Sequence, residues 1–477
     1  MADAQGESFF ERALANLAGA WRDIAAGAAR TVGLNGAASL PHRPEAWRAL
    51  MAECLAARGG EVSARLRAAE LGQAYLELEG DEKRDFLEVL AHDFATDQEQ
   101  VIERITAYVE ATDAAARMAA EDDLRRALVP PRVKLLTQFN ALPEGVKFLA
   151  DLRADLLRIE GEDPYLRGLE RDLRDLLESW FDVGFLDLRR ITWDSAASLL
   201  EKLIAYEAVH EIQSWQDLRN RLDSDRRLYA LFHPRMPEEP LAFVEVALVK
   251  GMADSIQALL DESAPAVAAE AVDTAIFYSI SNTQKGLQGI SFGDYLIKRV
   301  VQQLSHDLPR LKSFATLSPV PGLRRWLDRA GASTIAALLS EEEQGGVRAL
   351  GGSDQLPEAL LAILTRPDWW QDPVTATALK APLLRLCTFY FLERRPAGDP
   401  IDPVARFHLR NGARLERINW LGDTSANGLR QSAGLMVNYS YIVDDIEENH
   451  EAYMRRGTIA MGPEVRTLAK SVRRIAA

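Results

Sequence analysis

The stretch AIFYSISNTQKGLQGISFGDYLIKRVVQQLSHD, residues 275–307, decides the fold class. Its first seven residues are rich in β-formers and read as a short strand. A turn carrying Gly286, Gly289 and Gly293 follows, and an amphipathic helix begins at its end. Strand, glycine turn and helix in that order let the backbone approach a ligand closely, and the exposed amides at a helix start favour an anion. Lys285, Lys298 and Arg299 add positive charge. The same glycines are also ordinary turn residues, so on spacing alone a phosphate loop and a plain turn both remain open. No GxxxxGK[ST] motif and no clean dinucleotide fingerprint surrounds them.

The segments on either side extend the pattern. RRLYALFHP (226–234) and PLAFVEVALVKG (240–251) read as two antiparallel strands around the turn RMPEE. KSFATL (312–317) reads as a further strand, ended by SPVPG, and GLRRWLDRAG opens a helix. FHLRNGARLERINWL and GLMVNYSYIV look strand-containing, while residues 331–385 are helical in pattern with breaks at EEEQGG and LGGS. Strands interleaved with helices make this part α/β or α+β. The first 180 residues differ. Val101, Ile105, Tyr108 and Val109, and then Leu166, Leu169, Leu173, Leu176 and Trp180, recur at helical steps, with Asp163–Pro164 as a cap and first-turn pair. Breaks fall at PHRP, at ALVPP and around Gly161, so an antiparallel helical bundle with these stripes in its core is the economical reading. The expected division is a helical domain over 1–185 and a second domain over 186–477.

At 477 residues, with 47% hydrophobic and 27% charged side chains, the chain has enough apolar material for sizeable cores. Its net charge of −15 argues against a general nucleic-acid binder. Within residues 281–330, however, eight basic residues face three acids, a window suited to an anionic ligand. Two distant cysteines, Cys54 and Cys387, form no disulfide framework, and no apolar run is long enough to span a membrane. The start lacks a secretory pattern, so a soluble cytoplasmic protein without membrane insertion is expected.

Two side chains stand out as candidates. Ser318 lies at the end of an expected strand, where α/β sites usually open, although from the sequence alone a helix N-cap before a proline explains it better. No GxSxG elbow surrounds it, which disfavours a conventional hydrolase. His408 lies between an apolar run and a polar turn, a place suited to a proton donor beside a pocket, although a lone histidine is more often structural. The seven histidines and two cysteines form no zinc-ligand cluster.

Read together, AIFYSIS, GLQGISFG, LIKRVV, LSPVPG, FHLRNGA, INW and GLMVNYSY, in this order, resemble the malonyl-CoA decarboxylase family. SWFDVGFLDLRRITWDS and EAVHEIQSWQDLRNRL are similar to that family's junction between domains, so the resemblance covers roughly residues 130–445. It implies an α+β protein with an all-helical N-terminal bundle and a catalytic domain of the GCN5-related acetyltransferase fold. It also implies conversion of malonyl-CoA to acetyl-CoA and CO2 without a metal or organic cofactor. By position, Ser318 and His408 are the family's catalytic pair. Gln288, Gly289, Ile290, Ser291, Phe292, Gly293 and Asp294 match its coenzyme A loop, and Ser279 and Tyr441 its supporting residues. Ser291 departs from the acid that many relatives carry there, and the pyrophosphate motif is only partial. The chemistry suits the residues: an enolate left by decarboxylation needs hydrogen-bond donors and then a proton, which a histidine with pKa near neutrality supplies. His408 is expected to give that proton and Ser318 to orient the malonyl group. A coenzyme A-dependent acetyltransferase and a non-catalytic acyl-CoA-binding protein are the competing readings. The helical domain is expected to form a homo-oligomer.

Overall fold

The computed structural model describes residues 17, 19–21, 43–56, 60–159, 161–290, 292–393 and 402–476. The chain divides into two compact units. One comprises residues up to Asp187 with Phe232–Leu241 and Asn282–Phe292, and the other comprises Leu188–Leu231, Ala242–Ser281 and Gly293–Ala477.

Helices dominate the first unit, as their caps predict. Asp163 accepts from the amides of Tyr165 and Leu166, and Pro164 opens the helix Pro164–Trp180, whose Leu166, Leu169, Leu173 and Leu177 are buried. Pro131 likewise starts the helix Pro131–Asn140, so the ALVPP break is real. Aromatic rings fill the core: Trp21 lies 4.8 Å from Phe148, Phe139 lies 5.0 Å from Phe148, and Tyr75 lies 5.0 Å from Phe86. One expected core stripe is absent from the core. The helix Gln98–Glu110 buries no residue, and Val109 is 72% exposed. It pairs with Ala114–Leu128, which also buries none, so the periodicity correctly gave a helix but not its environment. Of the PHRP break, Pro41 and His42 lie outside the described residues.

The eight-stranded sheet has the order β1 (Asp187–Ile191), β2 (Arg226–His233), β3 (Met236–Val249), β4 (Thr274–Asn282), β5 (Ser313–Thr316), β8 (Met436–Ser440), β6 (Ser318–Pro319), with β7 (Arg414–Asn419) also on β8. β4 and β5 are parallel, with Thr274 opposite Ser313 and Phe277 opposite Thr316. The α+β expectation therefore holds, with helices first and a mixed sheet after. Three local readings change. RMPEE is mostly strand, because β3 starts at Met236 and only Pro234 and Arg235 join it to β2. EEEQGG is helical, because Ser340 and Glu343 form a capping box that starts the helix Glu341–Gly351. FHLRNG begins as the last turn of the helix Pro403–Arg410, and the strand starts only at Arg414.

The turn after β4 is fastened within the first unit. A Cβ at Gly286 would overlap the carbonyl oxygen of Ala150 on the helix Gly145–Ile159, so this glycine serves close packing. From the same helix Arg153 donates to the carbonyls of Gly286 and Gln288, at 2.7 and 2.9 Å, and pairs with Glu170 at 2.6 Å. Removing one member of a buried ion pair strands its partner. Arg153→Met is therefore expected to lower unfolding stability by about 3–5 kcal/mol in urea denaturation. A loss under about 1 kcal/mol, the size of a surface pair, contradicts this role.

Candidate active site

β5 ends at Thr316, and the chain continues extended so that Ser318 and Pro319 pair with Val437 and Met436 of β8. Ser318 is thus a strand residue, not the helix cap. The following short helix, Leu323–Leu327, is capped at Gly322. β8 pairs with β5 through Ala315 and Ser440 as well, so one strand holds both sides of Leu317.

The helix Pro403–Arg410 brings in His408. Asp402 caps it, its carboxylate accepting from the amide of Ala405 at 2.8 Å and from the Tyr390 hydroxyl at 3.2 Å. Asp402 is fully buried. Asp402–Pro403 repeats the signal seen at Asp163–Pro164 and could have placed this helix from the sequence.

The three residues Ser318, His408 and Tyr441 meet. His408 Nε2 lies 3.2 Å from Ser318 Oγ, and His408 Nδ1 lies 2.8 Å from the Tyr441 hydroxyl. Ser318 Oγ donates to Thr316 Oγ1 at 2.9 Å, and Thr316 Oγ1 also accepts from the amide of Tyr439 at 3.2 Å. The Tyr439 ring stacks on the imidazole at 4.5 Å with planes 26° apart. His408 is 2% exposed and Ser318 7%. Behind them Asn438 donates to the Thr316 carbonyl at 2.8 Å and accepts from Asn419 at 2.8 Å, which locks β8 to β5. Thr316, Tyr439 and Asn438 were not singled out from the sequence. The two-residue step between Thr316 and Ser318, which puts both hydroxyls on one side of an extended chain, was the available signal.

Burial sets the charge of the histidine. Desolvation lowers the His408 pKa to about 3 from an ordinary 6.5. The expectation of a pKa near neutrality is corrected: among the described residues no charged group offsets the cost of burying the cation, and desolvation keeps the imidazole neutral.

The other expected site residues are arranged differently. Ser279 donates to both oxygens of the Glu207 carboxylate, at 2.7 and 2.8 Å, and the amides of Val209 and His210 bind the same carboxylate. Glu207 was not anticipated; it ties the chain after the helix Ala197–Tyr206 to β4. Gln288, Gly289, Ile290 and Phe292 belong to the first unit, whereas Gly293 and Asp294 belong to the second. Gly289 has φ +87° and open space at its Cβ position, so it alone of the three turn glycines keeps the features expected of a loop open to a ligand. A Cβ at Gly293 would lie 2.6 Å from the Phe407 ring. Ser291 lies outside the described residues, as does the Asp294 side chain. Lys298 faces Glu447 at 4.0 Å, and Arg299 lies over the Tyr295 ring. Among the described residues no cluster of three metal-ligating side chains occurs, and no helix is long and apolar enough to cross a membrane. Both cysteines are free and buried.

Residues 184–476 match the sequence model of the malonyl-CoA decarboxylase C-terminal domain, and residues 94–181 match that of the N-terminal domain. The chain belongs to the malonyl-CoA decarboxylase family. It is 38% identical over 409 residues to the mitochondrial malonyl-CoA decarboxylase of Anser anser anser, covering 82% of this chain and 81% of that protein. The Mus musculus enzyme is 37% identical over 407 residues, covering 82% of each. The crystal structure of malonyl-CoA decarboxylase from Rhodopseudomonas palustris superposes with a TM-score of 0.80 at 44% identity, covering 89% of this chain and 99% of that one. That from Agrobacterium vitis gives 0.79 at 43% identity, with the same coverage.

The depressed histidine pKa has a consequence for stability. The folded value of about 3 lies below the unfolded 6.5, so between them the unfolded chain binds the proton first. The stability linked to neutral His408 is present above pH 6.5 and is lost as pH falls toward 3. Acid unfolding of His408→Asn is therefore expected to show a shallower loss of stability than wild type across that window, with parallel curves above pH 7. Equal slopes in acid would show that His408 is not held neutral by burial.

Proposed function

We propose that this chain catalyses the family reaction, conversion of malonyl-CoA to acetyl-CoA and CO2, and that Ser318 and His408 carry it. The observation behind the assignment is the buried hydrogen-bonded contact of Ser318, His408 and Tyr441 at the end of β5. The bond between the malonyl α-carbon and its carboxylate breaks and CO2 leaves. The bonding pair passes into the thioester enolate, and the α-carbon then takes one proton. Ser318 and its neighbours orient the malonyl group so that the departing carboxylate stands out of the enolate plane. His408 delivers the proton. A neutral buried imidazole is a poor acid, but a negative charge nearby raises its pKa. The malonyl carboxylate brings that charge, so substrate binding charges His408 with a solvent proton and decarboxylation consumes it. One proton is used per turnover.

The loop Gln288–Asp294 receives the coenzyme A moiety in this reading, on the acyl-CoA platform of acetyltransferase-like domains, with Ser279 and Tyr441 as supporting groups. Lys298 and Arg299 stand on the helix that follows this loop, Gly293–Asp307, and serve its phosphates. No metal or organic cofactor takes part. The helical part, 1–185, acts in homo-oligomer assembly, and 186–477 is the catalytic domain. The exposed Val109, Met118 and Leu128 on the paired helices 98–128 support the assembly role, as apolar helix faces usually find partners. We place the protein in the cytoplasm, in keeping with two unpaired thiols.

Purified protein given malonyl-CoA alone is expected to release acetyl-CoA without an amine acceptor. His408→Asn and Ser318→Ala are each expected to lower kcat on the order of a hundredfold or more, with the circular dichroism spectrum preserved. No acetyl-CoA from the wild type removes the proposal and leaves a transferase or an acyl-CoA binder. Near-normal turnover in both variants removes the residue assignments. Replacing Lys298 and Arg299 together with Ala is expected to raise KM more than it lowers kcat; an unchanged KM contradicts their phosphate role.

A further inference from the structure

We propose that Thr316 is a positioning residue that sets the tautomer of His408, holding its proton on Nε2, the nitrogen facing Ser318. The inference rests on the catalytic reading of Ser318 and His408 for its effect on turnover, but its geometric part stands alone.

The hydrogen bonds can be followed from a donor that cannot turn. The amide of Tyr439, fixed in β8, donates to Thr316 Oγ1. Thr316 Oγ1 also accepts from Ser318 Oγ at 2.9 Å. A serine hydroxyl has one proton, and Ser318 uses it there. At its 3.2 Å contact with His408, Ser318 Oγ is therefore the acceptor and Nε2–H the donor. A neutral imidazole carries one N–H, so Nδ1 is bare and accepts from the Tyr441 hydroxyl at 2.8 Å. The chain thus runs in one direction, Tyr441 to His408 to Ser318 to Thr316, and ends at an oxygen already engaged by a backbone amide. Thr316 is fully buried, as is the amide partner, so water does not compete for either bond.

The direction has a chemical result. With Thr316 in place, Nε2 presents a hydrogen toward the serine side of the site. Without the Thr316 hydroxyl, the Ser318 proton has no acceptor behind it and turns to Nε2. His408 then shifts its own proton to Nδ1 and donates to Tyr441, and its Nε2 lone pair is engaged by the Ser318 hydroxyl, so the proton taken up with substrate finds no free place at Nε2. A histidine in the wrong tautomer loses most of its value in proton transfer, even with geometry intact.

The test uses the full chain labelled with 15N-histidine, and the His408 ring signals are identified by their loss in His408→Asn. In wild type a protonated Nε2 and a bare Nδ1 are expected. Thr316→Val, which keeps the branched shape, is expected to move the population to protonated Nδ1 and to lower kcat on the order of a hundredfold with KM little changed. Thr316→Ser is expected to restore both the tautomer and kcat, which a purely packing role would not explain. A wild-type His408 protonated at Nδ1 overturns the proposal by itself, whether or not any variant folds. An unchanged tautomer in Thr316→Val, or no rescue by Thr316→Ser, overturns it as well. Should wild type show the Nε2 proton yet fail to turn over malonyl-CoA, the catalytic reading fails and the tautomer assignment stands.

Discussion

β8 pairs with β5 on one side of Leu317 and with β6 on the other, and the site takes its shape from that double pairing. The antiparallel bonds hold Thr316 and Ser318 two residues apart on an extended chain, hydroxyls on one side. The same strand supplies the Tyr439 ring over His408 and the Tyr439 amide to Thr316, and Tyr441 follows directly after it. Asn438 ties the strand to the carbonyl of Thr316. A slip of one residue in β8 would turn every one of these side chains to the opposite face. The helix bearing His408 is fixed separately, by Asp402 at its start, so the contact between histidine and serine depends on two elements located by independent bonds.

Burial is the second constraint. A carboxylate behind the histidine would make it basic at all times, and none among the described residues offsets its desolvation. The cost of charging a buried imidazole makes its protonation dependent on what enters the site. In the proposed reaction, whose substrate carries an acyl carboxylate that the product lacks, this couples protonation of His408 to the presence of substrate. It also accounts for why a polar chain of four hydroxyl and imidazole groups is tolerated in a core: each member is satisfied by the next.

Much of this was legible in the sequence, for identifiable reasons. The strand, turn and helix of 275–307 are where the composition puts them, because local propensities and the tertiary fold agree there. Asp163–Pro164 marked a helix start by a mechanism that acts locally. Ser318 and His408, ninety residues apart, were joined only by resemblance; nothing in their spacing brings them to one place. Within the charge window, Arg324 donates to the carbonyl of Leu364 and Lys298 stands 4.0 Å from Glu447, contacts that the composition alone did not reveal. The glycines were read for their freedom, whereas Gly286 and Gly293 are needed because another group stands where a side chain would go, which is a property of the folded chain alone. The Val109 stripe failed for the converse reason: periodicity reports a face, and what covers that face is not a local property.

The central claim is that Ser318 and His408 form the centre at which the malonyl group reacts. It is tested most directly by a crystal structure of the full chain with acetyl-CoA bound. The account predicts the acetyl methyl group in contact with His408 Nε2 and the thioester packed against the Ser318 side chain. An ordered acetyl group that touches neither side chain would contradict it.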